Sequence, residues 1–228
     1  MLRLLLTRHA VTAQTGSFLS GWTPGLHLSD EGRAQAAALA GRLAPVTIHA
    51  VYSSPLERCM ETALAIAGPR GLAVRELPEL GEVRYGDWTG RELKDLAKED
   101  LWRTVQRTPS SARFPGGESL LEMQARAVAA IERLRALPEH GGQSVLVASH
   151  ADVIKAVAAH YTGMHLDHFQ RLVVGPASLT AIGFGPVPHL LRLNASGDDA
   201  DLNPPARKDT GTAVVGAGAG GEVGRADP

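Results

Sequence analysis

Three short stretches hold residues suited to gripping an anion. Arg8-His9 follows the apolar run Leu2–Thr7, Arg58 lies just after Ser53-Ser54-Pro55, and Ser149-His150 follows the apolar run Val145–Ala148. A guanidinium presents a planar fork of donors that matches phosphate oxygens two at a time. Helix N-termini add free N–H groups and the positive end of a dipole. If each apolar run is a strand, the three stretches deliver Arg8, His9, Arg58 and His150 to one rim of a sheet. Two guanidiniums and two imidazoles there make an anion site, and phosphate suits it best.

The elements that must carry these residues are legible in the pattern. Leu2–Thr7, Ile48–Tyr52 and Val145–Ala148 read as buried strands. Asp30–Leu43 reads as a helix capped by Ser29. A second helix is expected to open at Ser54-Pro55-Leu56-Glu57, a Ser-x-x-Glu capping box with Pro at the first helical position. A third opens at Ser119-x-x-Glu122, with Leu120, Ala127, Ile131 and Leu134 on one face. A fourth starts near Asp152. Leu172–Val174, Leu179–Phe184 and Leu190–Leu193 read as late strands broken by Gly-Pro pairs. This alternation predicts an α/β layered fold with a mostly parallel sheet, whose ligands sit beyond the carboxyl ends of the strands.

The residues resemble a known family. Leu6-Thr7-Arg8-His9 is similar to the opening signature of the histidine phosphatase superfamily, the phosphoglycerate-mutase-like family. Ser53-Ser54-Pro55-Leu56-Glu57-Arg58 resembles its second arginine motif. Leu80-Gly81-Glu82-Val83-Arg84-Tyr85-Gly86-Asp87-Trp88 resembles the segment with its catalytic acid. Phe114-Pro115-Gly116-Gly117-Glu118-Ser119 and Ser149-His150-Ala151-Asp152 resemble its later motifs. The order matches over about Leu2 to Leu193. The resemblance implies a three-layer α/β/α sandwich and a phosphohistidine intermediate. It also implies His9 as nucleophile, Arg8, Arg58 and His150 as holders of the phosphoryl group, and Glu82 as acid and base. No metal or cofactor is expected. Glu76 and Glu79, on the same stretch, are the alternatives to Glu82, but neither stands three residues before a Tyr-Gly-x-Trp turn. The neighbouring arginines should keep His9 neutral, and the site of Glu82 should raise its pKa.

Some positions depart from the family pattern. Ala10 and Ala151 stand where the family often has Gly, and small Ala fits unless the backbone needs a positive φ. Val11-Thr12-Ala13-Gln14-Thr15 lacks the usual Glu and Asn, which leaves open whether Gln14 or Thr15 meets the phosphate. Trp22 is read either as a cover over the pocket or as packing at the domain edge. Trp102, Arg103 and Arg107 lie where a leaving-group contact is expected, with a solvated basic face as the alternative. Cys59 reads as a small core residue. His160, His165 and His168 read as a solvated helix rather than a metal site.

Composition bounds the rest. The 228 residues carry a net charge of -1, and 19 of the 23 basic residues are Arg, scattered without the aromatic-interleaved run of a nucleic-acid binder. The single Cys favours a reducing, cytoplasmic setting. The apolar N-terminus is far shorter than the ~20 residues of a membrane span. Residues 1–194 are expected to form one histidine phosphatase domain, and 195–228 an acidic, Gly- and Pro-rich disordered tail. The tail carries net charge −3, which leaves the body at +2. The expected activity is hydrolysis of a small phosphorylated metabolite. A phosphoglycerate-type phosphomutase is the alternative, and a non-catalytic phospholigand module a more distant one. The short, weakly basic stretch from Gly90 to Gly116 favours hydrolysis. No nucleic acid or membrane partner is expected.

Overall fold

The computed structural model describes residues 2–197. In chain order the elements are β1 (Leu2–Arg8), α1 (Asp30–Arg42), β2 (Ala50–Ser53), α2 (Glu57–Ala67), β3 (Val74–Glu76), α3 (Leu93–Leu96) and α4 (Asp100–Arg107). They continue with α5 (Leu120–Ala136), β4 (Ser144–Ser149), α6 (Ala151–Tyr161), β5 (Leu179–Phe184) and β6 (Pro188–Ala195). One sheet has the order β3-β2-β4-β1-β5-β6. The pairs β3–β2, β2–β4 and β4–β1 are parallel, and β5 runs antiparallel to both β1 and β6. The sheet is mixed, with the parallel block at the site.

Helices cover both faces, and the strand sequences show why. Leu4 and Leu6 of β1 and Val145 and Val147 of β4 enter a core with α5 and α6. Leu5, Leu146 and Ala148 point to the opposite core, under α1 and α2. Alternate side chains face opposite sides of a strand, so a run apolar at every position needs cover on both. Leu120, Ala127, Ile131 and Leu134 of α5 are all buried, as their spacing predicts.

Three local expectations are corrected. The second helix starts at Glu57 with Leu56 as its N-cap, and no side chain caps it. The Ser54 hydroxyl instead meets His150 Nε2 at 2.9 Å, so a buried polar ring takes the group the capping box needed. Leu172–Val174 forms no strand; it follows the 3-10 segment Leu166–Arg171. His168 lies in that segment and His165 is its N-cap, so neither is α-helical. Ser29 caps α1 through Gly32 N–H, and Ser119 with Glu122 forms the complete capping box on α5. The last strand runs to Ala195, and residues 198–228, most of the expected tail, lie outside the described residues. No helix among the described residues is long and apolar enough to cross a membrane.

Candidate active site

The carboxyl ends of β1, β2 and β4 lie side by side because β1 pairs with β4 and β4 with β2. His9 follows β1, and its amide donates to Ser149 O at 2.9 Å at the end of β4. His150 is the N-cap of α6, and Arg58 sits in the first turn of α2. The rings of His9 and His150 stand 5.3 Å apart, edge to face. A cavity of about 210 Å³ opens here, lined among others by Arg8, His9, Arg58, Glu82 and Asp152.

His9 is held in one tautomer. Its Nδ1 lies 2.8 Å from Ala10 O, a pure acceptor, so Nδ1 carries the proton and Nε2 keeps the lone pair. Burial, with the charge of Arg58 next, pulls its pKa down to about 3. The ring is therefore neutral at any ordinary pH. Burial, and then Arg58, likewise hold His150 well below the usual histidine range. Nδ1 of His150 faces Arg58 Nη2 at 3.4 Å and Glu82 Oε2 at 3.6 Å, while Nε2 faces Ser54. Because Arg58 can only donate, His150 Nδ1 accepts and Nε2–H donates to Ser54 Oγ.

The two arginines are each anchored to a backbone carbonyl. Arg8 Nη1 donates to Val174 O at 2.9 Å, and Arg58 Nη2 to Gly21 O at 2.7 Å. Arg8 Nε and Arg58 Nη1 are buried with no hydrogen-bond partner among the described residues. Buried donors of a charged group are costly to leave unpaired. Both side chains line the cavity, and His150, the N-cap of α6, lies beside them.

Glu82 completes the wall. Burial first, and then the nearby Asp152 carboxylate, raise its pKa to about 7 against the opposing pull of Arg58. The loop carrying it is clamped by a residue that sequence reasoning missed. Arg126 of α5 donates to Glu79 O, Gly81 O and Glu82 O at 2.6 to 2.9 Å and pairs with Glu118. Trp22 Nε1 donates to Glu82 O at 2.6 Å, so Trp22 braces the acid loop instead of covering the pocket. A Cβ on Gly86 would lie 2.0 Å from Pro115 O, which shows how closely this loop rests on the Phe114–Ser119 turn. Arg126 carries no local signal; only its spacing from Glu118, which puts two turns of α5 between them, could have suggested the pair.

A family model for the histidine phosphatase superfamily (branch 1) matches residues 4–195. The chain belongs to this superfamily. Phosphoserine phosphatase 1 of Hydrogenobacter thermophilus is 33% identical over 193 residues, 80% of this chain and 86% of that one. A probable phosphoglycerate mutase of Yersinia pestis is 29% identical over 90% of this chain and 97% of its own length. The alpha-ribazole phosphatase of Shigella flexneri superposes with a TM-score of 0.76 at 30% identity, covering 86% of this chain and 97% of that one. Mycobacterial glucosyl-3-phosphoglycerate phosphatase, solved with VO3, gives 0.77 at 28% identity, covering 86% of this chain and all of that one (100%).

Within this histidine phosphatase the remaining expected residues fall as follows. Glu76 is exposed on β3, and Glu79 pairs with Arg133, so neither lines the cavity. Thr12 and Thr15 line it, whereas Gln14 accepts from Ser20 instead. Neither Ala10 nor Ala151 has a positive φ, which is why Ala serves at both. Cys59 is fully buried with Sγ 3.4 Å from His150 Nε2, and burial pushes its thiol up to about 12. Trp102 lines an adjoining cavity, while Arg103 and Arg107 are exposed and line neither.

Proposed function

We propose that this histidine phosphatase hydrolyses a small phosphomonoester through a phosphohistidine at His9. The observation that carries the reading is the free Nε2 of His9, beside two guanidiniums whose buried Nε (Arg8) and Nη1 (Arg58) have no partner among the described residues. The phosphoryl group docks on Arg8 and Arg58. Nε2 attacks phosphorus in line, the P–O bond to the leaving group breaks, and Glu82 gives its proton to the departing alkoxide. A water then loses a proton to the Glu82 carboxylate and attacks the phosphohistidine. The P–N bond breaks, and His9 and inorganic phosphate are released. Positioning and fixed positive charge supply most of the rate.

In this reading His150, fully buried behind the cavity lining and in contact with Arg58, is the third phosphate contact. When a phosphoryl oxygen takes the Arg58 Nη2 donor, Nδ1 becomes free to carry the proton toward that oxygen. Ser54 Oγ can donate or accept, so it supports either tautomer. The phosphomutase alternative asks for a cation to hold a carboxylate. Arg91, Lys94, Lys98 and Arg113 are paired on the surface with Glu99, Glu92, Asp95 and Glu122. Arg8 and Arg58 are the Lys and Arg residues, among those described, that line the cavity, and in this reading both serve the phosphoryl group.

The test is a rapid acid-free quench of enzyme mixed with a 32P-labelled ester. A base-stable, acid-labile label on the wild-type protein that is absent from His9→Ala supports the reading. Normal turnover of p-nitrophenyl phosphate by His9→Ala would overturn it.

A further inference from the structure

A second cavity, also about 210 Å³, adjoins the first; Leu19, Tyr85, Leu93 and Asp152 line both. Its far wall is aromatic. The ring of Phe114 meets Tyr85 at 4.9 Å and Trp88 at 5.4 Å, and Trp102 stacks on Trp88 at 6.3 Å. The Trp88 N–H is spent on Glu99, and half-buried Trp102 is the most exposed of these rings. An aromatic wall of this kind rewards a flat apolar group.

Besides the Tyr85 hydroxyl and the Trp88 and Trp102 N–H groups, the polar groups of this cavity are an acid and two amides, Asp152, Gln106 and Gln170. Asp152 receives one bond per oxygen, from Lys155 Nζ at 2.7 Å and Tyr85 Oη at 3.1 Å. Each carboxylate oxygen keeps a lone pair for a ligand donor. Lys155 stands behind the carboxylate and lines neither cavity. Among the described residues no Lys or Arg lines the second cavity. A carboxylate or second phosphate placed there would face Asp152 with no cation to pair it, and a buried unpaired charge is strongly disfavoured.

From this juxtaposition we infer that the leaving group is an aromatic alcohol, neutral or cationic, bearing an N–H or O–H donor for Asp152 and no carboxylate. The inference rests on the phosphatase reading above and names its substrate class. Asp152 thereby selects the leaving group from the first turn of α6, next to the residue that touches phosphate.

The test compares esters with alkyl leaving groups throughout, so that leaving-group acidity does not sort them. Tryptophol phosphate, with its indole N–H, is set against phosphoserine and 3-phosphoglycerate. The expected kcat/KM for tryptophol phosphate exceeds both by about tenfold or more. Trp102→Ala should lower it by about tenfold while leaving inhibition by inorganic phosphate unchanged. The isosteric Asp152→Asn should shrink the preference by about tenfold, a ratio in which any change at Glu82 cancels, and it carries the test if Trp102→Ala fails to melt cooperatively. Preference for the carboxylated esters, or a preference unmoved by Asp152→Asn, overturns the inference and leaves the phosphatase reading intact. Absence of turnover and of labelled enzyme with every ester removes that reading, and the inference falls with it.

Discussion

At the scale of one residue, Glu82 joins function to stability. In the proposed mechanism its carboxyl is protonated to release an alkoxide and ionised to activate water, and a pKa near 7 allows both. With an alkyl ester, kcat/KM should therefore fall as pH rises through about 7. His9, held at about 3, stays neutral throughout and adds no break there. Glu82→Gln should slow an alkyl ester by about 10²–10⁴-fold. With p-nitrophenyl phosphate, whose leaving group needs no proton, the same variant should form phosphoenzyme and stall. Stopped-flow absorbance should show a burst of one phenolate per enzyme, and a linear trace from time zero would refute the double role. The raised pKa also sets the sign for stability. A group with a higher pKa folded than unfolded stabilises at low pH, and that contribution is lost as pH rises through the folded value. From 4.5 to about 7 the loss at pH 8 is of the order of 3 kcal/mol. Glu82→Gln should thus melt higher than wild type at pH 8 and close to it at pH 5.

Among the elements, two Ser-x-x-Glu boxes look alike in sequence and serve different ends. Ser119 caps α5, whereas the Ser54 hydroxyl leaves α2 uncapped and holds His150. Ser119→Ala should cost about 1 kcal/mol of stability with activity unchanged. Ser54→Ala strands a buried imidazole N–H, costs about 1–3 kcal/mol, and lowers kcat, with recovery in Ser54→Thr. Equal loss of activity in both alanine variants would contradict this division. The contrast shows what the sequence could convey. Strand runs, the Ser29 and Ser119 caps and the order of Arg8, Arg58 and His150 were legible because they are local patterns. The destination of the Ser54 hydroxyl depends on β4 pairing with β2, 96 residues apart at the bond itself, and no local pattern encodes it. The strand Val74–Glu76 is too brief for a pattern to stand out, and the helix Asp100–Arg107 is only about two turns, with Leu101, Trp102 and Val105 as its apolar face. Arg126 belongs to the same class, since its three carbonyl partners sit on a loop over 40 residues upstream. Arg126→Met should release the acid loop, destabilise the fold by about 3 kcal/mol or more, and slow alkyl esters more than p-nitrophenyl phosphate. Equal slowing of both would mean that Arg126 supports the fold alone.

For the whole molecule, the question is whether anion binding comes from a general field or from a built site. A net charge of -1 offers little field, and most arginines are spread over the surface. What draws an anion is the half-buried Arg8 and the buried Arg58, anchored to Val174 O and Gly21 O, with Arg8 Nε and Arg58 Nη1 unpaired among the described residues. Loop segments far apart in sequence supply those anchors, so binding an anion should tighten the folded state as a unit. Inorganic phosphate or vanadate at about 100 times its Kd should stabilise by about 2.7 kcal/mol. For a chain of this size that corresponds to a rise in Tm of roughly 5–10 °C. Buried pairs are screened far less than exposed ones, so most of the rise should survive about 0.5 M NaCl. Arg58→Ala should abolish it, while Arg103→Ala and Arg107→Ala, on the exposed face, should leave it unchanged. A rise that disappears with salt in the wild-type protein, or persists in Arg58→Ala, would place the anion on the surface instead of at the ends of β1, β2 and β4.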